Sequence, residues 1–390
     1  MLLSSLLFLL LPVAALSGWY MGRREKPPEK DVNLKTTSPT YLKGLNFLLN
    51  EQPDKAIDVF IQLLEVDSET IETHLALGSL FRRRGEVDRA IRIHQNLIAR
   101  PTLNKEQRSQ ALFELGQDYL RAGLLDRAEA LFSELITSNP HTEAALLYLI
   151  DIYQQEKDWE KAIEMSRRLE VKSGHKQFTQ IAHYYCELAE LARAEGDRSR
   201  AMKLIKRALN SDSKSVRASL LEGEAYMSDE NYKQAIKSFR RIEQQDINYL
   251  PEAISRLSDC YSRTGKQDEM SAYLQQLYAR HKGTPIILAM TNLVEDQQGD
   301  DKAIEFITSS IKNAPTVRAM DRLIELNIRN TEGVEKEKLL VLKEITGKLL
   351  DAKPIYQCHI CGFSSKQLYW QCPSCRNWDA IKPIHDLEGE

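Results

Sequence analysis

The chain has no phosphate loop of the form GxxxxGKS or GxxxxGKT, no GxGxxG turn after a strand, no HExxH and no GxSxG. These absences remove the familiar signatures of nucleotide hydrolysis, dinucleotide binding, zinc proteolysis and serine hydrolysis, and they point away from an enzyme. Charge of one sign is also missing. The formal net charge is −3 and the pI near 6.3, whereas nucleic-acid binding normally shows as a basic domain or stripe. No RNA-binding aromatic motif is present, so no nucleic-acid partner is expected. The histidines His74, His94, His141, His175, His183 and His281 stand singly, without metal-ligand spacing, and receive no role. With 28% charged and 42% hydrophobic residues in 390 positions, the rest is an ordinary soluble balance, long enough for two or more domains.

Cysteine is scarce but concentrated. Four of the six fall between Tyr356 and Trp378 as two Cys-x-x-Cys pairs, Cys358 with Cys361 and Cys372 with Cys375. A two-residue gap lets both thiolates of a pair converge on one ion, and two facing pairs close a tetrahedral site of four sulfurs that suits zinc or rubredoxin-type iron. Two structural disulfides are the alternative, but Cys186 and Cys260 stand alone, which implies a reducing compartment. Tyr356, Phe363, Tyr369, Trp370 and Trp378 give the small module an apolar packing layer, and metal binding is expected to supply its folding energy. His359, inside the first pair, is left out of the site. Cys186 and Cys260 fall beside core positions and read as buried, inert thiols.

Long apolar runs are absent except at the start. Leu2–Met21 carries no charge across twenty residues, enough for a helix to span a bilayer of about 30 Å. A cleaved signal peptide is the competitor, but that would carry positive charge before the apolar run, and here Arg23, Arg24 and Lys26 follow it. Positive charge on that flank predicts a single-pass anchor with the following domain in the cytoplasm, the side that reduced cysteines also require.

Between anchor and cysteines the chain repeats. Aligning one alanine per unit gives Ala56, Ala90, Ala128, Ala162, Ala201, Ala235 and Ala303, with Met270 filling the missing place. The gaps of 34, 38, 34, 39, 34, 35 and 33 residues fit the tetratricopeptide period of about 34. Twelve positions earlier sits a small residue, Gly44, Gly78, Gly116, Ala189 or Gly223, followed three positions on by Phe47, Phe81, Tyr119 or Tyr226, an aromatic expected to fill a hole in the next repeat. The fold class expected is therefore an all-α tetratricopeptide solenoid with an N-terminal transmembrane helix and a small C-terminal metal module. Its parts are an anchor at 1–22, a polar linker at 23–36, about eight repeats at 37–315, a degenerate capping pair at 316–352 that carries the metal module at the array's C-terminal end, and the four-cysteine module at 353–390. Arg82, Arg83 and Arg84, and likewise Arg240 and Arg241, are expected at solvated helix ends, where cations interact favourably with the last carbonyls.

These three parts together resemble the lipopolysaccharide assembly protein B family of Gram-negative bacteria, end to end. The most specific stretches are Leu7–Arg24, Gly85–Leu97, Ile181–Ala189 and Leu368–Ile384. The resemblance implies a single-pass protein of the bacterial inner membrane, with its soluble domain on the cytoplasmic side. Such an adaptor regulates lipopolysaccharide synthesis by bringing the lipid A deacetylase to the membrane-bound ATP-dependent protease FtsH, opposed by a lipopolysaccharide-sensing inner-membrane regulator. It also implies a rubredoxin-like site in which Cys358, Cys361, Cys372 and Cys375 hold one metal ion, iron by the resemblance and zinc equally by spacing. Arg376 departs from the glycine that often follows the second knuckle of rubredoxin-like sites. A scaffold that gathers lipopolysaccharide-synthesis enzymes, and an electron carrier, are the other readings; a homodimer is compatible with any of them.

Overall fold

The repeat alanines lie where helices press together: Ala56, Ala90, Ala128, Ala162, Ala235 and Ala303 are fully buried and Ala201 nearly so. Each begins the contact between two consecutive helices that short turns fold back on one another. In this computed structural model the described residues are 39–384, except 51, 67–70, 139–140, 175, 282 and 314. The expected anchor and polar linker lie outside the described residues. Among those described, no helix is long and apolar enough to cross a membrane.

The chain divides into two compact units, Met1–Thr142 and Glu143–Glu390. The first holds α1 (Pro39–Leu49), α2 (Pro53–Val66), α3 (Ile71–Arg84), α4 (Val87–Ile98), α5 (Lys105–Arg121) and α6 (Leu125–Ser138). The second takes in α7 (Thr142–Glu156), α8 (Trp159–Ser173), α9 (Phe178–Ala194), α10 (Arg198–Ser211), α11 (Val216–Ser228) and α12 (Tyr232–Gln245). A 3-10 turn at Ile247–Tyr249 follows, then α13 (Pro251–Arg263), α14 (Gln267–Arg280), α15 (Thr284–Gln298), α16 (Asp300–Asn313), α17 (Val317–Arg329) and α18 (Val334–Ala352). A small antiparallel sheet closes the chain, with β1 (Tyr356–Cys358) between β2 (Ser364–Ser365) and β3 (Ile381–Pro383). The all-α repeat architecture and the separate cysteine module are thus both present.

The small residues let the two helices of a pair approach closely, and a ring of the second helix fills the space. A side-chain carbon added at Gly44, Gly116 or Gly223 would come within 2.7, 2.8 or 2.4 Å of the ring of Phe60, Phe132 or Phe239. Those rings come from the second helix of the same pair, four residues after the repeat alanine, and all three are fully buried. So the glycine makes room for an aromatic within its own repeat. At Gly78 the ring is His94, whose Nε2 would lie 2.3 Å from the added carbon. A histidine can occupy this dry position because its Nδ1 is hydrogen-bonded to buried Asp118 of α5, which also pairs with Arg82 of α3.

That network corrects the reading of Arg82 as a solvated terminal cation. Its guanidinium, mostly covered, reaches Glu114 Oε2 and Asp118 Oδ1, each at 2.7 Å, and so ties one helix pair to the next. Arg240 and Arg241 are likewise engaged: the first lies 4.5 Å from the ring centre of Tyr273, and the second donates to Ser219 and Glu222. Apolar and charged contacts between neighbours hold each unit together, as expected for helices that bury their faces only against adjacent repeats.

Replacing Gly223 by alanine should drive a methyl group into the Phe239 ring and lower stability by about 1–3 kcal/mol. The denaturation midpoint of the full chain reads this directly, and an unchanged midpoint would show that the ring yields freely.

Candidate metal centre

Two knuckles of similar build converge. In the first, the Cys358 amide donates to Phe363 O at 2.7 Å and the Gly362 amide donates to Cys358 O at 2.9 Å. In the second, the Cys372 amide donates to Asn377 O at 2.9 Å and the Arg376 amide to Cys372 O at 2.8 Å. Such a tight loop needs a left-handed residue just after its second cysteine. Gly362 supplies φ of +77°, and Arg376 adopts +57° in the equivalent place, at the steric cost a Cβ carries there. The departure from glycine therefore leaves the knuckle conformation intact.

The four sulfurs of Cys358, Cys361, Cys372 and Cys375 all lie within 4.8 Å of one another. Across the knuckles, Cys358 Sγ is 3.7 Å from Cys375 Sγ, and Cys361 Sγ is 3.6 Å from Cys372 Sγ. A disulfide needs about 2 Å, whereas a tetrahedron of sulfurs at ~2.3 Å from one ion has edges of ~3.8 Å. The donor set therefore fits one ion, zinc or iron. Asn377 side-chain and backbone contacts lower Cys375 to about 6, and a backbone contact from Phe363 lowers Cys361. Burial instead pushes Cys372 up to about 11; a buried thiolate there calls for a cation beside it. His359 is exposed and stays outside the sulfur cluster. Cys186 and Cys260 are buried and take no part in the sulfur cluster, with thiols raised by burial to about 12 and about 11, as inert core thiols should be.

The module does not sit as a lid on the array's C-terminal end. It folds back onto helices of the same unit that precede it by more than a hundred residues. Trp378 stacks on His183 of α9 at 4.7 Å between ring centres, and its Nε1 donates to Gln154 Oε1 of α7 at 3.0 Å. Trp370 lies against Tyr249 at 5.4 Å, whose hydroxyl donates to Ile381 O of β3 at 2.7 Å. Tyr356 bonds Glu252 of α13, and Lys382 pairs with Asp246. The reason is area: the expected apolar layer splits, Phe363 and Tyr369 meeting within the module while Trp370 and Trp378 find their cover on α9 and the 3-10 turn. Burial, with Asp379 and Asp246 nearby, raises the hydroxyl of Tyr249 well above the usual phenol range, and burial together with the bond to Glu252 does the same for Tyr356.

Residues that sequence reasoning passed over therefore form the seam: Gln154, His183, Tyr249 and Glu252. His183 is almost wholly buried, with Nε2 3.0 Å from Asp379 Oδ1 but without hydrogen-bond alignment. Its only available sign was a lone histidine among the aromatics of Ile181–Ala189.

With this geometry in view, comparison with known proteins is informative. Residues 356–383 match the rubredoxin metal binding domain family, and residues 73–109, 113–172 and 186–249 match tetratricopeptide repeat families. Lipopolysaccharide assembly protein B of Escherichia coli K12 is 43% identical over 385 residues, covering 98% of this chain and 99% of that protein. The protein of the same name from Haemophilus influenzae Rd is 35% identical over 393 residues, with the same coverage.

Cys372→Ser should abolish metal binding in the purified full chain and loosen the module, seen as loss of stoichiometric metal by elemental analysis together with red-shifted tryptophan fluorescence. Unchanged metal content would refute the four-sulfur site.

Proposed function

From its membership of the lipopolysaccharide assembly protein B family, to which the full-length matches show that this chain belongs, we propose that it acts in lipopolysaccharide assembly as a membrane-tethered, non-enzymatic adaptor. Its task is to deliver the lipid A deacetylase to the membrane protease FtsH on the cytoplasmic side of the inner membrane. A lipopolysaccharide-sensing inner-membrane protein opposes it.

The observation that carries this reading is the seam between module and helices. An adaptor must hold two partners in a fixed relation, and Trp378, Tyr249 and Tyr356 fix the metal module against α7, α9 and α13 as one preformed surface. Preformed surfaces bind without the entropic cost of ordering their parts. Helical repeats supply docking faces for extended peptides or protein surfaces. The ion contributes a structural cross-link among four thiolates, and no step of the proposed task needs chemistry from this chain. Leu2–Met21 and the Arg23–Arg24 flank support the inner-membrane location, because a tether raises the effective concentration for partners held in the same membrane.

In cells whose native chain lacks residues 2–21, the deacetylase half-life after translation arrest should lengthen several-fold while the truncated chain itself remains folded. Normal deacetylase turnover in those cells would sink the proposal.

A further inference from the structure

Two helices break the charge pattern of the array. On the second helix of each pair, the positions two before, two after and five after the repeat alanine (Met270 on α14) point away from the core, because a helix turns about 100° per residue. Across α2, α4, α6, α8, α14 and α16 these positions hold nine acids against two cations, Arg92 and Arg167. On α10 and α12 they hold Lys203, Lys206, Lys233, Lys237 and Arg240, with Ser199 and no acid. All five cations are exposed, as is Arg207 beside them. α10 has no acid in its 14 residues, and the single acid of α12, Glu243, pairs with Arg280.

The acids of flanking segments are mostly engaged by other groups. Glu160 and Glu195 face Arg200, Asp229 faces Arg198, Glu164 pairs with Arg168, and Asp212 accepts from the Thr179 hydroxyl. Glu230, in the turn before α12, and Asp268, in the first turn of α14, stand at the edges. Lys203, Lys206, Lys233 and Lys237 have no ion pair among the described residues. Like charges three and four positions apart, Lys203 with Lys206 and Lys237 with Lys233 and Arg240, repel along each helix. An anionic surface outside the chain would relieve that repulsion.

The make-up of the patch selects the surface. Neither outward face carries an aromatic to stack a nucleic-acid base, or a large exposed apolar side chain to seat in a protein pocket. Lysines dominate, and these are flexible point charges suited to a fluid sheet of phosphates, where a single shaped anion would call for the fixed fork of arginine. The inference rests on the membrane-tethered reading, in which Leu2–Met21 and the Arg23–Arg24 flank hold the chain beside the cytoplasmic leaflet. That leaflet carries anionic lipid and attracts clusters of four or more cations.

We propose that the outward faces of α10 and α12 rest on the anionic headgroups of the tethering membrane, through an electrostatic contact without insertion. The metal module's seam uses α7, α9 and α13, the first helices of their pairs, and stays uncovered.

The full-length, metal-loaded chain carrying Asn210→Cys places a fluorescent label on the exposed end of α10 without removing a cation, and the chain without that cysteine serves as the blank. In vesicles of phosphatidylcholine with about one third phosphatidylglycerol and a headgroup-labelled acceptor lipid, energy transfer should clearly exceed that in phosphatidylcholine alone. The excess should vanish at about 1 M salt, where the screening length is ~3 Å. Lys203→Gln, Lys206→Gln and Lys237→Gln together should lower the docked-to-undocked ratio about a hundredfold and remove the excess, while circular dichroism and metal content match the parent. Equal transfer in the two vesicle types, or an excess that survives the triple substitution, would overturn the contact. Transfer that ignores lipid charge, with a label quenched by added polyglutamate, would also overturn it and give the patch to an acidic protein. Flotation with neutral vesicles at high salt reads the tether separately: a chain that floats only with anionic vesicles at low salt would fail the tether and keep the patch.

Discussion

Four sulfurs held 3.6–3.7 Å apart across two knuckles set the terms for the C-terminal half of this protein. Thiolates so close repel one another unless a cation sits among them, and three strands of two or three residues cannot enclose a core large enough to resist that repulsion. An ion held by the four thiolates would relieve that repulsion and cross-link the knuckles, whose docked form presents Trp370 and Trp378 to the helices and Ile381 to the hydroxyl of Tyr249. Metal binding, module folding and docking on α7, α9 and α13 would then be linked.

The helix pairs rest on a different constraint, which is space. Each glycine of the repeat admits a ring from its own second helix, so the close approach of two backbones and the burial of a large apolar surface are one event. Where the ring is His94, the pair acquires a polar requirement, and Asp118 with Arg82 meets it by linking three consecutive helices. Such a buried network costs desolvation but admits few alternative arrangements, and it fixes how one pair sits on the next.

Much of this was legible from spacing alone. The alanines at a period near 34 mark the deepest positions of the second helices, and two Cys-x-x-Cys pairs anticipate a cluster that the structure closes to within 4.8 Å. Both signals are local, because helix pairing and knuckle geometry act over short stretches of chain. The seam was not legible. Gln154 and Trp378 are 224 residues apart and Tyr249 and Ile381 are 132 apart, and no periodicity links such positions. Arg82 was misread for the same reason: a cation at a helix end looks solvated until Glu114 and Asp118 arrive from another repeat. On α18 the apolar spacing was plain, but not that the face toward α17 would mix the partly buried Leu339 and Leu350 with Lys343 paired to Asp321 and Glu325.

The account stands most directly on the claim that the ion holds the module against the helices. Hydrogen exchange of the full chain, loaded with metal and after removal by a chelator, measures this amide by amide. The account predicts that metal removal abolishes protection in β1–β3 and lowers it at Gln154, His183 and Tyr249 on the docking face, while α3–α5 exchange as before. Protection of β1–β3 that survives metal removal would contradict it.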